Sequence, residues 1–139
     1  MNAQSPQLVP VLIVDEDTVI RDTLSTFLSA AGCRVSAAVS EADALAYLHE
    51  ALAPHVVLLD FFLPLAHRST VLHAAAHDTT LQRPCYLVVT ATDISGLPPE
   101  EQRLIREVCS EVVPKPSDAI AVLAAVARAA ERLSAQPSP

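Results

Sequence analysis

The sequence predicts an α/β fold in which five parallel strands form one sheet with helices on both faces. Three observations carry that expectation. Short apolar runs alternate with stretches of helical periodicity, five times over. Four of the short runs stop at, or just before, a residue with reactive or polar chemistry: Asp15, Asp60, Thr90 and Lys115. The chain has 139 residues, 51% of them hydrophobic and 18% charged, which suits one domain with a closed core.

Each element has its own signal. Residues 8–14 form a short run rich in β-branched side chains that ends at Asp15, and they read as the first strand. From Thr18, the apolar residues Ile20, Leu24, Phe27, Leu28 and Ala31 recur at helical spacing, and Gly32 supplies the stop. Residues 34–39 alternate loosely, as a half-buried strand does. Ser40 offers an N-cap with Asp43 three residues later, and Leu45, Leu48 and Leu52 continue that helix until Pro54 ends it. Residues 55–59 are a short buried run halted at Asp60, and residues 67–77 read as a modest helix. Residues 86–89 are another buried run, closed by Thr90. Gly96, Pro98 and Pro99 mark a loop and a helix start, and Leu104, Ile105 and Val108 mark one face of that helix. Residues 111–113 form the fifth strand, followed by Pro114-Lys115-Pro116. Ser117 is placed to cap a last helix with Ile120, Leu123, Val126, Ala127 and Ala130 inward. Residues 1–7 read as an N-terminal extension, 8–134 as the domain, and 135–139 as a tail or the start of a linker.

Composition excludes several classes of function. The formal net charge of -7 argues against direct nucleic-acid binding, which needs a basic patch, and against docking on an anionic membrane surface. No apolar run approaches the roughly 20 residues of a membrane span. The first seven residues lack the basic and apolar regions of a signal peptide, so a cytoplasmic location is expected. Cys33, Cys85 and Cys109 have no metal-type spacing, and their odd number suits free, mostly buried thiols.

Chemistry gathers at the strand ends. In an open α/β sheet, ligands bind outside the carboxyl ends of the strands. Asp15 and Asp60, the Thr90 hydroxyl and the Lys115 ammonium would therefore converge on one rim, with Glu16 and Asp17 adding carboxylates. Clustered carboxylates hold a hard divalent cation such as Mg²⁺ through oxygen. Such a cation lets a phosphoryl group approach a carboxylate nucleophile. A lysine and a hydroxyl can then hold the transferred oxygens.

These residues carry a family resemblance. Val11-Leu12-Ile13-Val14-Asp15-Glu16-Asp17 is similar to the first strand and acidic pair of response-regulator receiver domains. Val56-Val57-Leu58-Leu59-Asp60-Phe61-Phe62-Leu63-Pro64 resembles the phosphoacceptor strand of that family, proline included. Leu87-Val88-Val89-Thr90-Ala91 resembles its Thr/Ser-Ala motif, and Pro114-Lys115-Pro116 its Lys-Pro. Each motif alone is common, but four in order at strand ends, within residues 9–133, are specific. The resemblance implies strand order 2-1-3-4-5 with five flanking helices. It implies that Asp60 accepts phosphate, and that Asp15, Glu16, Asp60 and the Phe62 carbonyl hold Mg²⁺. It implies that Thr90, Ala91 and Lys115 meet the phosphoryl group, that Thr90 shifts with it, and that the Lys115–Pro116 bond is a candidate cis peptide. The partners implied are a sensor histidine kinase or phosphotransfer protein and a downstream protein or output domain. A homodimer through the last two helices and fifth strand is also a candidate assembly.

Four positions depart from the family pattern. Val112 stands at the switch position three before the lysine, where an aromatic ring is usual. Arg68 and Val108 stand where glycines are usual, and the chain has only two glycines, Gly32 and Gly96. Phe62 stands where a polar side chain often positions the hydrolytic water, which predicts slow loss of phosphate. Val112 and the altered loop after Asp60 motivate a second reading, a phosphorylation-independent interaction module. A third reading comes from Asp15-Glu16-Asp17-Thr18-Val19, which also fits the start of haloacid-dehalogenase-type phosphatases, with Asp15 as nucleophile and Asp17 as acid/base. It leaves Asp60 unexplained. His73 and His77 stand four apart on a helix near His67 and Asp78, and a solvated face explains them better than a metal site. His49 and His55 look incidental. Ile120, Val122, Leu123, Val126 and Leu133 spread apolar surface around the last helix, a candidate partner face with the helix of residues 104–108.

Overall fold

Strand β1 (Pro10–Val14) is apolar on both sides because both sides are covered. Val11 and Ile13 pack in one core layer, and Leu12 and Val14 in the other. The computed structural model describes residues 9–61, 70–90, 93–114 and 118–135, without the side chains of Asp60, Phe61 and Gln82. After β1 come α1 (Thr18–Ala30), β2 (Arg34–Ala38), α2 (Glu41–Glu50), β3 (Val56–Phe61) and α3 (Thr70–His77). Then follow β4 (Cys85–Thr90), α4 (Pro99–Val108), β5 (Cys109–Pro114) and α5 (Ala119–Ala135). Short 3-10 turns occupy Thr79–Gln82 and Ile94–Gly96. The strands pair in parallel in the order β2-β1-β3-β4-β5, as expected.

The two cores divide the helices. Leu28 of α1 and Val122, Ala125, Val126 and Ala129 of α5 cover one sheet face with Leu58, Leu87 and Val113. Ala44 and Leu48 of α2, Val71, Leu72 and Ala75 of α3 and Ile105 of α4 cover the other with Leu59, Tyr86 and Val88. Helix ends follow local chemistry. Ser40 accepts the Asp43 N–H at 3.1 Å and opens α2, as its sequence position predicts. Gly32, at φ 102°, closes α1, and Cys33 N–H reaches back to the Leu28 carbonyl at 3.0 Å.

Several expectations need correction. The α2 helix stops at Glu50, and Leu52 lies beyond it, 96% exposed. In α5 the buried stripe is Val122, Ala125, Val126 and Ala129, spaced as one helical face. Ile120, expected inward, is 71% exposed, and Ala127 is exposed too. Val122 and Val126, counted toward a partner face, belong to the core, with Leu123 and Leu133 packed partly against it. Of the apolar surface that motivated a dimer on α5, Ile120 remains exposed and Leu123 and Leu133 remain so in part. Asp118 Oδ1 accepts the Ala121 N–H at 2.8 Å, so the first turn of α5 is capped one residue after Ser117, which lies outside the described residues. The start of the third helix at residue 67 lies outside them as well.

The passage from α4 to β5 has no loop. Val108 ends the helix and Cys109 is already extended, at φ -96° and ψ 139°. No left-handed residue is needed there, which removes the demand for a glycine at position 108. β5 thus starts two residues before the expected 111. Tyr86 pairs with Cys109 and Leu87 with Glu111, so Ser110 is the extra residue of a bulge.

Candidate functional site

β1, β3 and β4 are neighbours at the middle of the sheet and end on one rim. Val14 pairs with Leu59, so Asp15 and Asp60 each stand one residue past that pair. Asp60 is level with Val89, and Phe61 with Thr90. Thr90 is level with Pro114, the residue before Lys115. Three of the four strand-end residues named from sequence are thus placed on adjacent strands by the backbone register. Phe62, Ala91, Lys115 and Pro116 lie outside the described residues, as does the side chain of Asp60.

Asp15 is held from several directions. It is 5% exposed, and its N–H donates to the Ala38 carbonyl at 3.1 Å, tying the end of β1 to β2. Its Oδ1 accepts the Asp17 N–H at 2.9 Å, and its carbonyl accepts from the Arg21 guanidinium at 2.8 Å. Glu16 is exposed beside it. Asp17 Oδ1 accepts the N–H groups of Val19 at 2.9 Å and Ile20 at 3.3 Å, so this carboxylate is the N-cap of α1. The phosphatase reading needs Asp17 as acid/base, and here it serves the helix instead. Thr90 is 3% exposed at the end of β4.

The oxygen donors suit a hard cation that keeps part of its water shell. Asp15 is fixed and buried, Glu16 is free to reach outward, and β3 brings Asp60 to the same rim. Among the described residues, which leave out the Asp60 carboxylate, no three His, Cys, Asp or Glu side chains form a metal-sized group. His73 and His77 are exposed on α3, in keeping with a solvated face. His55 is more than incidental. It is buried, with Nδ1 2.9 Å from the Ala53 carbonyl and Nε2 3.0 Å from the Tyr47 hydroxyl, which is itself 2.9 Å from Ser36 Oγ. This polar chain runs from the middle of β2 to the amino end of β3, away from the rim.

Val112 is 37% exposed, facing a groove of about 570 Å³ that Ile94, Ile105, Arg106 and Pro114 also line. Beside it, Arg128 of α5 makes a two-point ion pair with Glu111, whose carboxyl is held below the usual range by that hydrogen bond. Asp93, at the start of the segment leading to α4, is lowered likewise by the Ser95 hydroxyl and N–H. Sequence reasoning missed Arg21, and also Glu41, whose carboxylate accepts the Val71 N–H at 2.9 Å across 30 residues. Neither contact leaves a periodic or motif signal, because each joins a side chain to the backbone of another segment.

The sequence profile of the response regulator receiver domain matches residues 11–127. No curated protein matches the chain. Among solved structures, the chemotaxis protein CheY4 of Vibrio cholerae is 23% identical, covers 88% of this chain and 98% of its own, and superposes with a TM-score of 0.71. A CheY-like receiver domain protein of Methanospirillum hungatei JF-1 is 23% identical over 91% of this chain and 98% of its own, with a TM-score of 0.75. NtrX from Brucella abortus is 22% identical over 91% of this chain but 27% of its own, with a TM-score of 0.69. At these identities the structures share the fold, with the same central sheet.

Proposed function

Because the chain belongs to the response regulator receiver domain family, we propose that it is a phosphorylation switch in which Asp60 takes a phosphoryl group from a histidine kinase or phosphotransfer protein. The observation that supports this reading is the rim: buried Asp15, Asp60 and buried Thr90 end three adjacent parallel strands. In the proposed transfer an Asp60 carboxylate oxygen attacks the phosphorus of a phosphohistidine. The new P–O bond forms as the P–N bond breaks, and the imidazole, protonated on its other nitrogen, leaves as a neutral base. Asp15, Asp60 and the Phe62 carbonyl would hold Mg²⁺, with Glu16 acting through water. Bound there, Mg²⁺ would offset the negative charge shared by the carboxylates and phosphoryl oxygens. The Thr90 hydroxyl, the Ala91 backbone and the Lys115 ammonium would take the phosphoryl oxygens.

The family is one of signalling domains, and the only chemistry proposed is the domain's own phosphorylation and dephosphorylation. We take residues 8–134 as the receiver unit, acting in the cytoplasm on a downstream protein or output domain. Among the described residues no helix is long and apolar enough to cross a membrane. The test is intact mass after incubation with Mg²⁺ and acetyl phosphate or a phosphorylated kinase. One added phosphoryl group, lost in Asp60→Asn and in EDTA, is expected.

Val112 favours one second reading. With no ring to swing, the half-exposed valine suits a module that binds its partner in a single conformation. Phosphorylation without any change in hydrodynamic size or partner affinity would favour that module over the switch.

A further inference from the structure

Arg21 occupies a place that the helix dipole disfavours for a cation. It lies in the second turn's approach of α1, near the helix end that carries partial positive charge. Helical side chains lean toward the N-terminus, and this one leans back over the acidic turn. One guanidinium nitrogen donates to the Asp15 carbonyl at 2.8 Å and the other to the Thr18 hydroxyl at 3.3 Å. Among the described residues it makes no ion pair, although Glu16, Asp17 and Asp22 are all near it in sequence. Ordering a long, flexible arginine onto a carbonyl costs side-chain entropy, and here no carboxylate partner offsets that cost. The contact falls on the one residue whose buried carboxylate ends β1.

We propose that Arg21 is a positioning residue of the phosphoryl-transfer site, clamping the Asp15–Glu16 peptide so that both carboxylates meet a divalent cation in a fixed arrangement. The proposal rests on the receiver reading above. The clamped peptide unit sets both where Asp15 is held and the direction in which Glu16 leaves the chain. Two effects of Arg21 on cation binding oppose each other. Its charge repels a cation, while its clamp orders the ligands. The guanidinium is only partly buried, so water screens the repulsion. The clamp is a charge-assisted bond on a buried residue, and it dominates.

Isothermal titration of the unphosphorylated chain with Mg²⁺ tests this, with amide chemical shifts of Asp15, Glu16 and Asp17 and thermal melts recorded alongside. Arg21→Gln is expected to stay folded and to bind Mg²⁺ about tenfold more weakly, the usual scale for losing a group that orients a ligand. Arg21→Lys should recover part of that affinity, since an ammonium can satisfy one of the two acceptors. Unchanged affinity in a folded Arg21→Gln chain overturns the proposal. Tighter binding overturns it too, and assigns Arg21 to charge repulsion instead. If Arg21→Gln does not fold, Arg21→Met decides, because it keeps an unbranched side chain and removes every donor to the Asp15 carbonyl: weaker binding in the folded chain supports the clamp, and equal or tighter binding overturns it. A wild-type chain that binds no Mg²⁺ and takes no phosphate defeats the receiver reading itself, before any variant is compared.

Discussion

Val112 and Phe62 are two of the four positions at which the sequence departs from the pattern expected of the family, and each departure has a measurable effect. Val112 is partly exposed over an open groove, so Val112→Tyr has room for its ring. Stability should change by less than about 0.5 kcal/mol, as for surface substitutions generally. If a ring is what the switch lacks, the variant should show a larger phosphorylation-dependent change in partner affinity than wild type. Phe62→Asn should shorten the lifetime of the Asp60 phosphate, followed as decay of the phosphorylated mass. An unchanged lifetime would remove Phe62 from any account of slow dephosphorylation. The cysteines are a third residue-scale case. Cys33 and Cys85 are buried, and burial pushes the Cys109 thiol up to about 12. Since the thiolate is the nucleophile, a disulfide reagent at pH 8 should label Cys33 and Cys85 only when the chain is unfolded, and the partly exposed Cys109 far more slowly in the folded chain than in the unfolded one.

Among the elements, α2 and α3 are joined by one carboxylate. Glu41 sits in the first turn of α2 and accepts the Val71 N–H in the first turn of α3, so two helix N-termini share its charge. Glu41→Ala should destabilise the fold by about 1 kcal/mol in urea unfolding, with Glu41→Gln retaining most of that contribution. Which parts of the elements are legible in the sequence follows from similar local reasons. Ser40 and Gly32 act within a few residues of themselves, so their capping roles can be read directly. The phase of α5 cannot, because residues 119–127 are apolar without interruption and nothing marks the outer face. The sequence therefore points Ile120 inward and counts Val122 as surface, the reverse of what packing selects. Likewise the start of β5 is hidden because Cys109 and Ser110 look like loop residues until the bulge opposite Tyr86 and Leu87 absorbs them.

At the scale of the molecule, the order β2-β1-β3-β4-β5 explains why so much of the site can be read from strand ends alone. A strand covered on both faces must be apolar throughout, so a polar residue at its carboxyl end stands out at Asp15, Asp60 and Thr90. Arg21 and Glu41 do not stand out, because each bonds a backbone group outside its own helix, in the turn before α1 for Arg21 and at the start of α3 for Glu41. The whole fold should also respond to acid. Asp78, Asp93 and Glu111 have carboxyl groups lowered by hydrogen bonds from Thr80, Ser95 and Arg128. Groups lowered on folding contribute stability that is present above their unfolded values and is lost as pH falls through their folded ones. The melting temperature is therefore expected to hold near neutral pH and to decline modestly below about pH 4, because water screens these exposed groups, and a rise in melting temperature below about pH 4 would contradict a stabilising role for them. The loopless junction at Val108 and Cys109 gives the sheet edge a mechanical character. Pulled from its C-terminal end, the chain has no slack there to pay out, so tension on β5 passes straight into α4. The two should peel away in one step of a force-extension trace, whereas α1 and β2, separated by the turn at Gly32, can yield one after the other.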